Sequence, residues 1–386
     1  MAESAVRRAA SRTRKLLMPR TPLLPVQRRS VRPSSGAPLV TVGITTHQDA
    51  ERIIRCLTSV AEQTLGAQHI EVLVVDDGST DQTVRLATNF EQRADWAAYA
   101  VRRHRNTGSP SKGRNTILDE ARGEYVFFLD ADDYLGPQAL EAMTEAGHRQ
   151  RAEVIVGRYV GVNRSAPNVL PPKNPKDAGD YHAGWLNSLH VQKLFRTEFL
   201  RRLPYRFNES LIYASDHPFM VSAFLHATTV ALVEDVDCYF ITLDPPEVQP
   251  RVNVSRADIP AVQQLRFLHD CFGLMALARG QNGELAKRAG RMRADYWNRL
   301  LKLHIPVLIL RKGEDDDAVV KLAHQAQVMA ELYGAVTSRT RLVPEAQIML
   351  EALTAEAADA VRAAAHRARG SSAAAPEGAG LGTEST

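Results

Sequence analysis

The sequence has few cysteines and no long apolar segment. Its 386 residues include only Cys56, Cys238 and Cys271, which form no Cys-x-x-Cys motif and no disulfide framework. We interpret them as small buried apolar side chains in a reducing, cytoplasmic protein. No apolar run reaches the roughly 18 residues that a membrane-spanning helix needs. Prolines and arginines interrupt the N-terminal region, so a secretory signal is not predicted either.

Net charge is also low, but it is unevenly distributed. The whole chain carries +4, yet the first 38 residues contain nine Lys or Arg and one acid, which leaves the remainder at −4. A weakly acidic body gives no indication of a nucleic-acid groove. We predict that residues 1–38 form a disordered basic arm. A solvated tail is the simpler interpretation. The functional alternative is peripheral contact with anionic lipid at the inner face of the cell membrane, or with a polyanionic acceptor.

Strand and helix signals alternate through the first half of the chain. Short apolar runs predict strands at 39–44, 70–75, 96–101, 125–129 and 154–162, with helices at 50–63, from 81, at 112–122 (ended by Gly123 as the C′ residue), 186–201 and 218–227. This order predicts an α/β fold with an open, mainly parallel sheet flanked by helices. Beyond residue 260 the pattern is almost wholly helical, including 261–279 and 344–369. We therefore predict a main domain at 39–259, a smaller all-α domain at 260–370 and a disordered tail at 371–386.

Carboxylates directly follow two of these strands. Asp76 and Asp77 follow the second strand, and Asp130 and Asp132 follow the fourth. Ligands of open parallel sheets sit outside the carboxyl ends of the strands, so these side chains are expected to share one crevice with 45–47. Asp76-Asp77-Gly78 is also ordinary turn chemistry. A carboxylate in such a crevice could, however, accept hydrogen bonds from a uracil N–H or from ribose hydroxyls.

Asp130 and Asp132 indicate a binding site more specifically than Asp76 and Asp77 do. Residues two apart in an extended chain point the same way, so this pair offers two hard oxygen ligands to Mg²⁺ or Mn²⁺. Diphosphate oxygens and water would complete such a site. A solvated acidic turn is the alternative. In the segment RNTGSPSKGRN, Lys112 and Arg114 could face phosphate charge, or the segment could be a basic loop that caps a helix.

Taken in order, these segments resemble the family 2 glycosyltransferases of the glycosyltransferase-A fold. The resemblance covers about residues 39–256 and is carried by VTVGITTHQDAERIIRCLTSVAEQT, IEVLVVDDGSTDQT, RNTGSPSKGRN, GEYVFFLDADDYL, KLFRTEFL, RFNESLIYASDHPF and QPRVNVSR. The SDHPF and NVS segments and the helical C-terminal part resemble, more narrowly, bacterial enzymes that glycosylate wall teichoic acids and related surface polymers.

The resemblance implies a metal-dependent, inverting transferase. It would move a sugar from a UDP-sugar, with UDP-N-acetylglucosamine as the first candidate, to a hydroxyl of a surface polymer or glycan. The residues it implies are Thr46, His47, Asp76 and Asp77 for uridine; Asn106 and Arg114 for the nucleotide and diphosphate; Asp130 for nucleotide and metal; Asp132 for Mn²⁺ or Mg²⁺; and Asp216 as the catalytic base. The helical part is also compatible with a homo-oligomer.

Two positions depart from the family pattern. Residues 45–47 stand where the family more often has Pro-x-Tyr, and Ser215 precedes Asp216 where Glu is common. Ser215 or Asp216 could also simply cap the following helix, with Pro218 in its first turn.

Two other classes of function compete with a sugar transferase. A nucleotidyltransferase would be expected to carry, after the first strand, a Gly-rich loop with a following Arg and a distal Pro-Lys, and TTHQDAER has neither. The other class is a catalytically silent module that binds a surface polymer. The intact Asp130, Asp132 and Asp216 argue against it.

Overall fold

The computed structural model describes residues 37–168, 181–244, 259–281, 283–335 and 341–370. The predicted tail and the QPRVNVSR segment therefore lie outside the described residues. So does the predicted basic arm, except for residues 37 and 38. No helix in the described ranges has the length and apolar character needed to cross a bilayer. The three cysteines are free and buried, as expected.

One curled, mixed sheet organises the first two thirds of the chain. Within the described residues it has eight strands: β1 (Val40–Thr46), β2 (Ile70–Asp76), β3 (Ala98–Arg103), β4 (Tyr125–Asp130), β5 (Tyr134–Leu135), β6 (Val154–Val162), β7 (Leu194–Arg196) and β8 (Val230–Thr242). The order across the sheet is β3-β2-β1-β4-β7-β6-β8-β5. The β3-β2-β1-β4 half is parallel, as the alternating pattern predicts. Beyond β4 the sheet is mixed, because β7 runs antiparallel to both of its neighbours.

Helices flank the sheet and then form the C-terminal region. They are α1 (Ile53–Ala61), α2 (Thr83–Phe90), α3 (Ser111–Glu120), α4 (Ala139–Gln150), α5 (Thr197–Arg202), α6 (Asp216–His226), α7 (Ala261–Gln264), α8 (Phe267–Arg279), α9 (Glu284–Arg299), α10 (Ile305–Leu310), α11 (Asp316–Leu332), α12 (Pro344–Ala352) and α13 (Ala358–Gly370). A π-helical turn at Leu300–His304 joins α9 to α10. The strands β1 and β2 are buried almost throughout, since helices cover both faces of the sheet.

The helix predicted at 186–201 is wrong. Residues Ala183–Asn187 form a short 3₁₀ helix, Leu194–Arg196 form β7, and only Thr197–Arg202 are α-helical. Leu194 and Phe195 are fully buried and pair with both β4 and β6. A three-residue strand held between two others has no periodicity of its own, so its apolar residues were misread as one face of a helix. The predicted long helices at 261–279 and 344–369 are each broken in two.

Gly123 has a different role from the one predicted. Helix α3 already ends at Glu120, and Gly123 does not have the left-handed backbone of a C′ glycine. It lies instead against β1, where a Cβ atom would come within 2.4 Å of the Thr41 nitrogen. Its N–H donates to Thr41 Oγ1 at 2.8 Å, and that hydroxyl donates to buried Glu71 at 2.6 Å. The glycine is required for close approach of backbone to backbone.

We predict opposite stability effects for two Gly→Ala changes. Gly123→Ala should destabilise the fold by about 1–3 kcal/mol, because the neighbouring atoms are main chain and cannot move aside easily. Gly290→Ala in α9, where a Cβ atom would meet nothing within 4 Å, should stabilise it by about 0.5–1 kcal/mol. Urea unfolding of both variants measures this. Equal midpoints would contradict the account of Gly123.

Candidate active site

The candidate site lies at the carboxyl edge of the parallel half of the sheet. The register of the strands sets Thr46 beside Asp76 and Thr45 beside Asp130. The ends of β1, β2 and β4 therefore meet where the sequence pattern predicts a crevice.

Only one of the two carboxylate oxygens of Asp76 accepts hydrogen bonds from the described residues. The side chain is fully buried. Its Oδ2 accepts hydrogen bonds from the backbone N–H groups of Gly78 at 3.1 Å and Ser79 at 3.0 Å, and lies 3.4 Å from Arg103 Nε. Its Oδ1 is buried and has no hydrogen-bond partner among the described residues. Because a buried, unpaired carboxylate oxygen is costly, this atom marks a place where a ligand N–H or O–H would fit.

The loops that follow β2 and β3 are in direct contact. Asp77 accepts a hydrogen bond from the Thr107 backbone N–H at 2.9 Å, and the Asn106 side chain lies 3.0 Å from His47 Nε2. Gly78 adopts a left-handed backbone, and a Cβ atom there would lie 2.6 Å from the Asn106 nitrogen. The structure thus brings His47, Asp77 and Asn106 together on one side of the crevice.

Thr46 is buried and already has a partner. Its hydroxyl donates to Asp49 Oδ2 at 2.9 Å, and the His47 backbone N–H donates to the same oxygen at 2.9 Å. The Thr83 hydroxyl receives the Asp49 N–H at 2.8 Å. Asp49 therefore fixes the loop after β1, and the sequence analysis missed it. The available signal was an acid placed just before a helix, where Asp side chains bind nearby backbone N–H groups.

Arg114 joins two carboxylates from distant parts of the chain. It is 3% exposed, and its guanidinium binds Asp130 Oδ1 from Nη2 at 3.1 Å and Asp216 Oδ1 from Nη1. Burial lowers the pKa of Arg114, but the charges of Asp216 and Asp130 more than offset this, so its net pKa is raised. Arg114 thus holds the two carboxylates together, while its Nε is buried and has no hydrogen-bond partner among the described residues. Its contact with the donor diphosphate stays a prediction.

A second support for both carboxylates comes from the segment before β7. Gln192 Nε2 donates to Asp130 Oδ2 at 2.5 Å, and the Val191 N–H donates to Asp216 Oδ2 at 3.1 Å. Next to them Lys193 is fully buried, and its ammonium donates to the Tyr159 hydroxyl at 3.1 Å and to Ser188 Oγ at 3.2 Å. Burial lowers the pKa of Lys193 to about 7. The sequence analysis missed these residues because it placed the segment in a helix.

Asp216 is the first residue of α6, but its side chain does not cap the helix. Ser215 occupies the N-cap position and its side chain makes no capping hydrogen bond. The Asp216 carboxylate instead binds Arg114 and the Val191 N–H. The capping alternative is therefore wrong. The Asp216 carboxylate is instead held at the crevice, by Arg114 and by the Val191 N–H.

The acidic turn after β4 offers a set of hard oxygen ligands. Carboxylate oxygens of Asp130, Asp132 and Asp133 lie within 4.8 Å of one another. Asp133 is already engaged, since it accepts from the Tyr239 hydroxyl at 2.5 Å and from the Thr242 N–H at 2.7 Å. Burial, with the charges of Asp132 and Asp130, raises the pKa of Asp133 to about 8. Asp130 is held as well, by Arg114 and Gln192, and together with Asp132 it supplies the carboxylate oxygens that Mg²⁺ and Mn²⁺ prefer.

Comparison with known proteins agrees with this geometry. Residues 41–215, which include every residue discussed above up to Ser215, match the family model for glycosyl transferase family 2. Over these residues the chain is similar to the glycosyltransferase family 2 domain. The family model ends just before Asp216.

Among the curated relatives are polymer-modifying transferases. A poly(ribitol-phosphate) beta-glucosyltransferase of Bacillus spizizenii is 27% identical over 203 residues, which cover 52% of this chain and 32% of the relative. The poly(ribitol-phosphate) beta-N-acetylglucosaminyltransferase TarS of Staphylococcus aureus is 28% identical over 223 residues, 58% of this chain and 39% of the relative. The chain therefore spans only about a third of the length of these relatives.

Among solved structures, S. aureus TarS 1–349 in complex with UDP-GlcNAc superposes with a TM-score of 0.69 at 22% identity, covering 85% of this chain and 90% of that one. This likeness shows the glycosyltransferase-A type of fold, and its extent includes part of the C-terminal helical region.

We predict that the bridge made by Arg114 is needed for folding as well as for the site. Arg114→Gln should lower the free energy of unfolding by about 3 kcal/mol or more, because Asp130 and Asp216 would lose their shared cation. Arg85→Ala on the surface of α2 is the matched control and should change stability by less than about 0.5 kcal/mol. Urea unfolding measures both. A fully stable Arg114→Gln protein would show that the bridge contributes nothing.

Proposed function

We propose that this protein transfers a sugar from a UDP-sugar to a hydroxyl group of a surface-polymer acceptor, with inversion at the sugar carbon. The observation that carries the proposal is the Arg114 bridge, because it joins the carboxylate at the end of β4 to the carboxylate at the start of α6. A donor diphosphate beside the first and an acceptor hydroxyl beside the second would be close enough to react. Residues 39–259 would supply this catalytic domain.

The donor would bind along the ends of β1, β2 and β4. The unpaired Oδ1 of Asp76 would accept a hydrogen bond from the uracil N–H or from a ribose hydroxyl. His47, Asp77 and Asn106 would line the same subsite, and Thr46 would hold its loop in place through Asp49. The choice of UDP-N-acetylglucosamine as first candidate is supported by the ligand of the TarS structure.

Asp130 and Asp132 would hold Mn²⁺ or Mg²⁺ against the donor diphosphate. Such an ion, when bound, neutralises charge that builds up on the departing diphosphate. Asp133 would keep the turn after β4 in place through the hydrogen bonds that it accepts from the Tyr239 hydroxyl and the Thr242 N–H. Arg114 and Gln192 would keep the Asp130 carboxylate in position.

Asp216 would act as the general base. Inversion requires the acceptor oxygen to attack the sugar carbon from the face opposite the diphosphate. As the new C–O bond forms, Asp216 would take the hydroxyl proton, and UDP would leave with the electron pair of the bond that breaks. Arg114 and the Val191 N–H hold this carboxylate from two sides, which restricts its rotation.

The acceptor is proposed from the relatives. Two of them are named as poly(ribitol-phosphate) transferases, so a polyol-phosphate chain is the first acceptor to test. The cheapest test of the whole proposal is release of UDP from a panel of UDP-sugars, with and without this acceptor and Mn²⁺. No release under any condition would contradict it.

We predict that Asp132→Ala removes metal-dependent donor binding. Asp132 is a cleaner probe than Asp130, because Asp130→Ala also deprives buried Arg114 of a partner. Isothermal titration should show that Mn²⁺ strengthens UDP binding by the wild type but not by Asp132→Ala, and the variant should lose most of its transferase activity.

Asp95→Ala, at an exposed acid in the loop before β3, is the control and should behave as wild type. If Asp132→Ala keeps both the response to Mn²⁺ and wild-type turnover, the metal assignment is wrong.

We predict that Asp216→Asn folds and binds donor but transfers sugar at least about a hundredfold more slowly. Loss of general-base assistance typically costs about 10²–10⁴ in rate, whereas the amide oxygen can still accept the Val191 hydrogen bond. Initial rates with saturating acceptor and titration of UDP-sugar in the same preparation separate the two effects.

Ser215→Ala is the neighbouring control, since the Ser215 side chain makes no capping hydrogen bond, and it should retain most activity. Near-native transfer by Asp216→Asn would mean that another group takes the proton.

A further inference from the structure

A cavity in the C-terminal helical region is not used by the chemistry described above. Its volume is about 300 Å³. It is lined from α8 by Phe272, Ala276 and Arg279, from α9 by Arg293, and at the end of α11 by Leu332 and Tyr333. We call it the helical cavity.

Two arginines converge on the helical cavity without a carboxylate to pair with. Arg279 is exposed and forms no ion pair within the described ranges. Arg293 donates from Nε, at 3.0 Å, and from Nη2 to the Tyr333 carbonyl, so it binds the end of α11 and still has Nη1. Burial lowers the pKa of Arg293, and the nearby charge of Arg279 lowers it further.

The acids near these arginines in sequence have partners of their own, and Glu284, five residues after Arg279, pairs with Lys287 at 2.7 Å. Asp270 accepts hydrogen bonds from Tyr205 at 2.6 Å and Asn208 at 2.7 Å. Glu331 accepts from Gln327 at 3.0 Å, and Asp295 accepts from Tyr181 at 3.1 Å. None of these last three carboxylates forms an ion pair with Arg279 or Arg293 in the described part of the chain.

The wall of the helical cavity is rigid and apolar. The ring of Phe272 stacks on Trp297 at 4.7 Å and on Tyr333 at 5.0 Å between ring centroids. Beside such a wall the charge of the partly buried Arg293 is less screened than that of an exposed side chain, so an anion there is attracted. The planar fork of arginine matches phosphate oxygens in particular.

The helical cavity is also connected to the catalytic helix. Helix α9, which carries Arg293, also carries Tyr296, and the Tyr296 hydroxyl lies 2.9 Å from Nδ1 of His217, the residue after Asp216. Helix α9 therefore packs directly against the first turn of α6, the helix that begins at Asp216.

We propose that Arg279 and Arg293 bind a phosphodiester group of the acceptor polymer, away from the hydroxyl that reacts. This inference rests on the proposed function, since it needs a polyol-phosphate acceptor. It makes the helical cavity a second acceptor contact that long acceptors reach and single repeats do not.

The test uses the full chain with Arg279→Ala, which removes an exposed side chain without known structural contacts. Lys287→Ala, on α9 but outside the helical cavity, is the charge-matched control. The probes are a long synthetic poly(ribitol phosphate), a single ribitol phosphate and inorganic phosphate. We expect Arg279→Ala to weaken binding of the long polymer about 10-fold, the value of one charge-assisted hydrogen bond. Arg279→Lys should restore part of the loss, and Lys287→Ala should not weaken binding.

Donor hydrolysis and transfer to single ribitol phosphate should be the same in wild type and Arg279→Ala. The inference is overturned if Arg279→Ala binds the long polymer as tightly as wild type, if Lys287→Ala loses as much affinity, or if only inorganic phosphate binding changes. Failure of the proposed function has a different signature, since the wild type itself would then release no UDP from any UDP-sugar.

Discussion

The ion pairs of Arg114 are the constraint on which the site depends. A buried guanidinium is stable only when its charge is matched, and two carboxylates at one cleft repel each other unless a cation lies between them. Asp130 comes from the end of a strand and Asp216 from the start of a helix 86 positions later, so no local structure could hold them together. The two carboxylates match the charge of the Arg114 side chain, and Arg114 in turn provides the cation between them. The position of either carboxylate consequently depends on the other.

The mixed half of the sheet serves this arrangement. Because β7 inserts antiparallel between β4 and β6, the residues just before it come alongside Asp130. Gln192 can then bind Asp130 from its side chain, and Val191 can bind Asp216 from its main chain. A wholly parallel sheet would have required a long crossover at this place, and the two carboxylates would have lost this shared support.

Features of the fold and site that depend on local sequence pattern could be predicted. Features that depend on contacts between residues far apart in the chain could not. The parallel half was predictable, since apolar strands ending in acids and separated by helices leave a regular pattern, and that pattern placed Asp76 and Asp130 at one edge. Strand β7 was not, because its three residues owe their conformation to two neighbours in space. The sequence also showed that Arg114 was charged, but not that it would be buried between two acids. Gln192 was missed for the same reason, whereas Asp49 forms local bonds with Thr46 and the His47 N–H and was open to prediction.

The helical region has a part in the site even though the acidic crevice lies elsewhere. Helix α6, which begins at Asp216, packs against α8 and α9, and His217 lies against Phe267, with ring centroids 4.9 Å apart. From the other side, Asp270 of α8 binds Tyr205 and Asn208, in the segment that leads to α6. The general base proposed at Asp216 must keep its position to within about 0.5 Å. Arg114 fixes only the end of that side chain, so the direction of α6 itself has to come from the helices behind it.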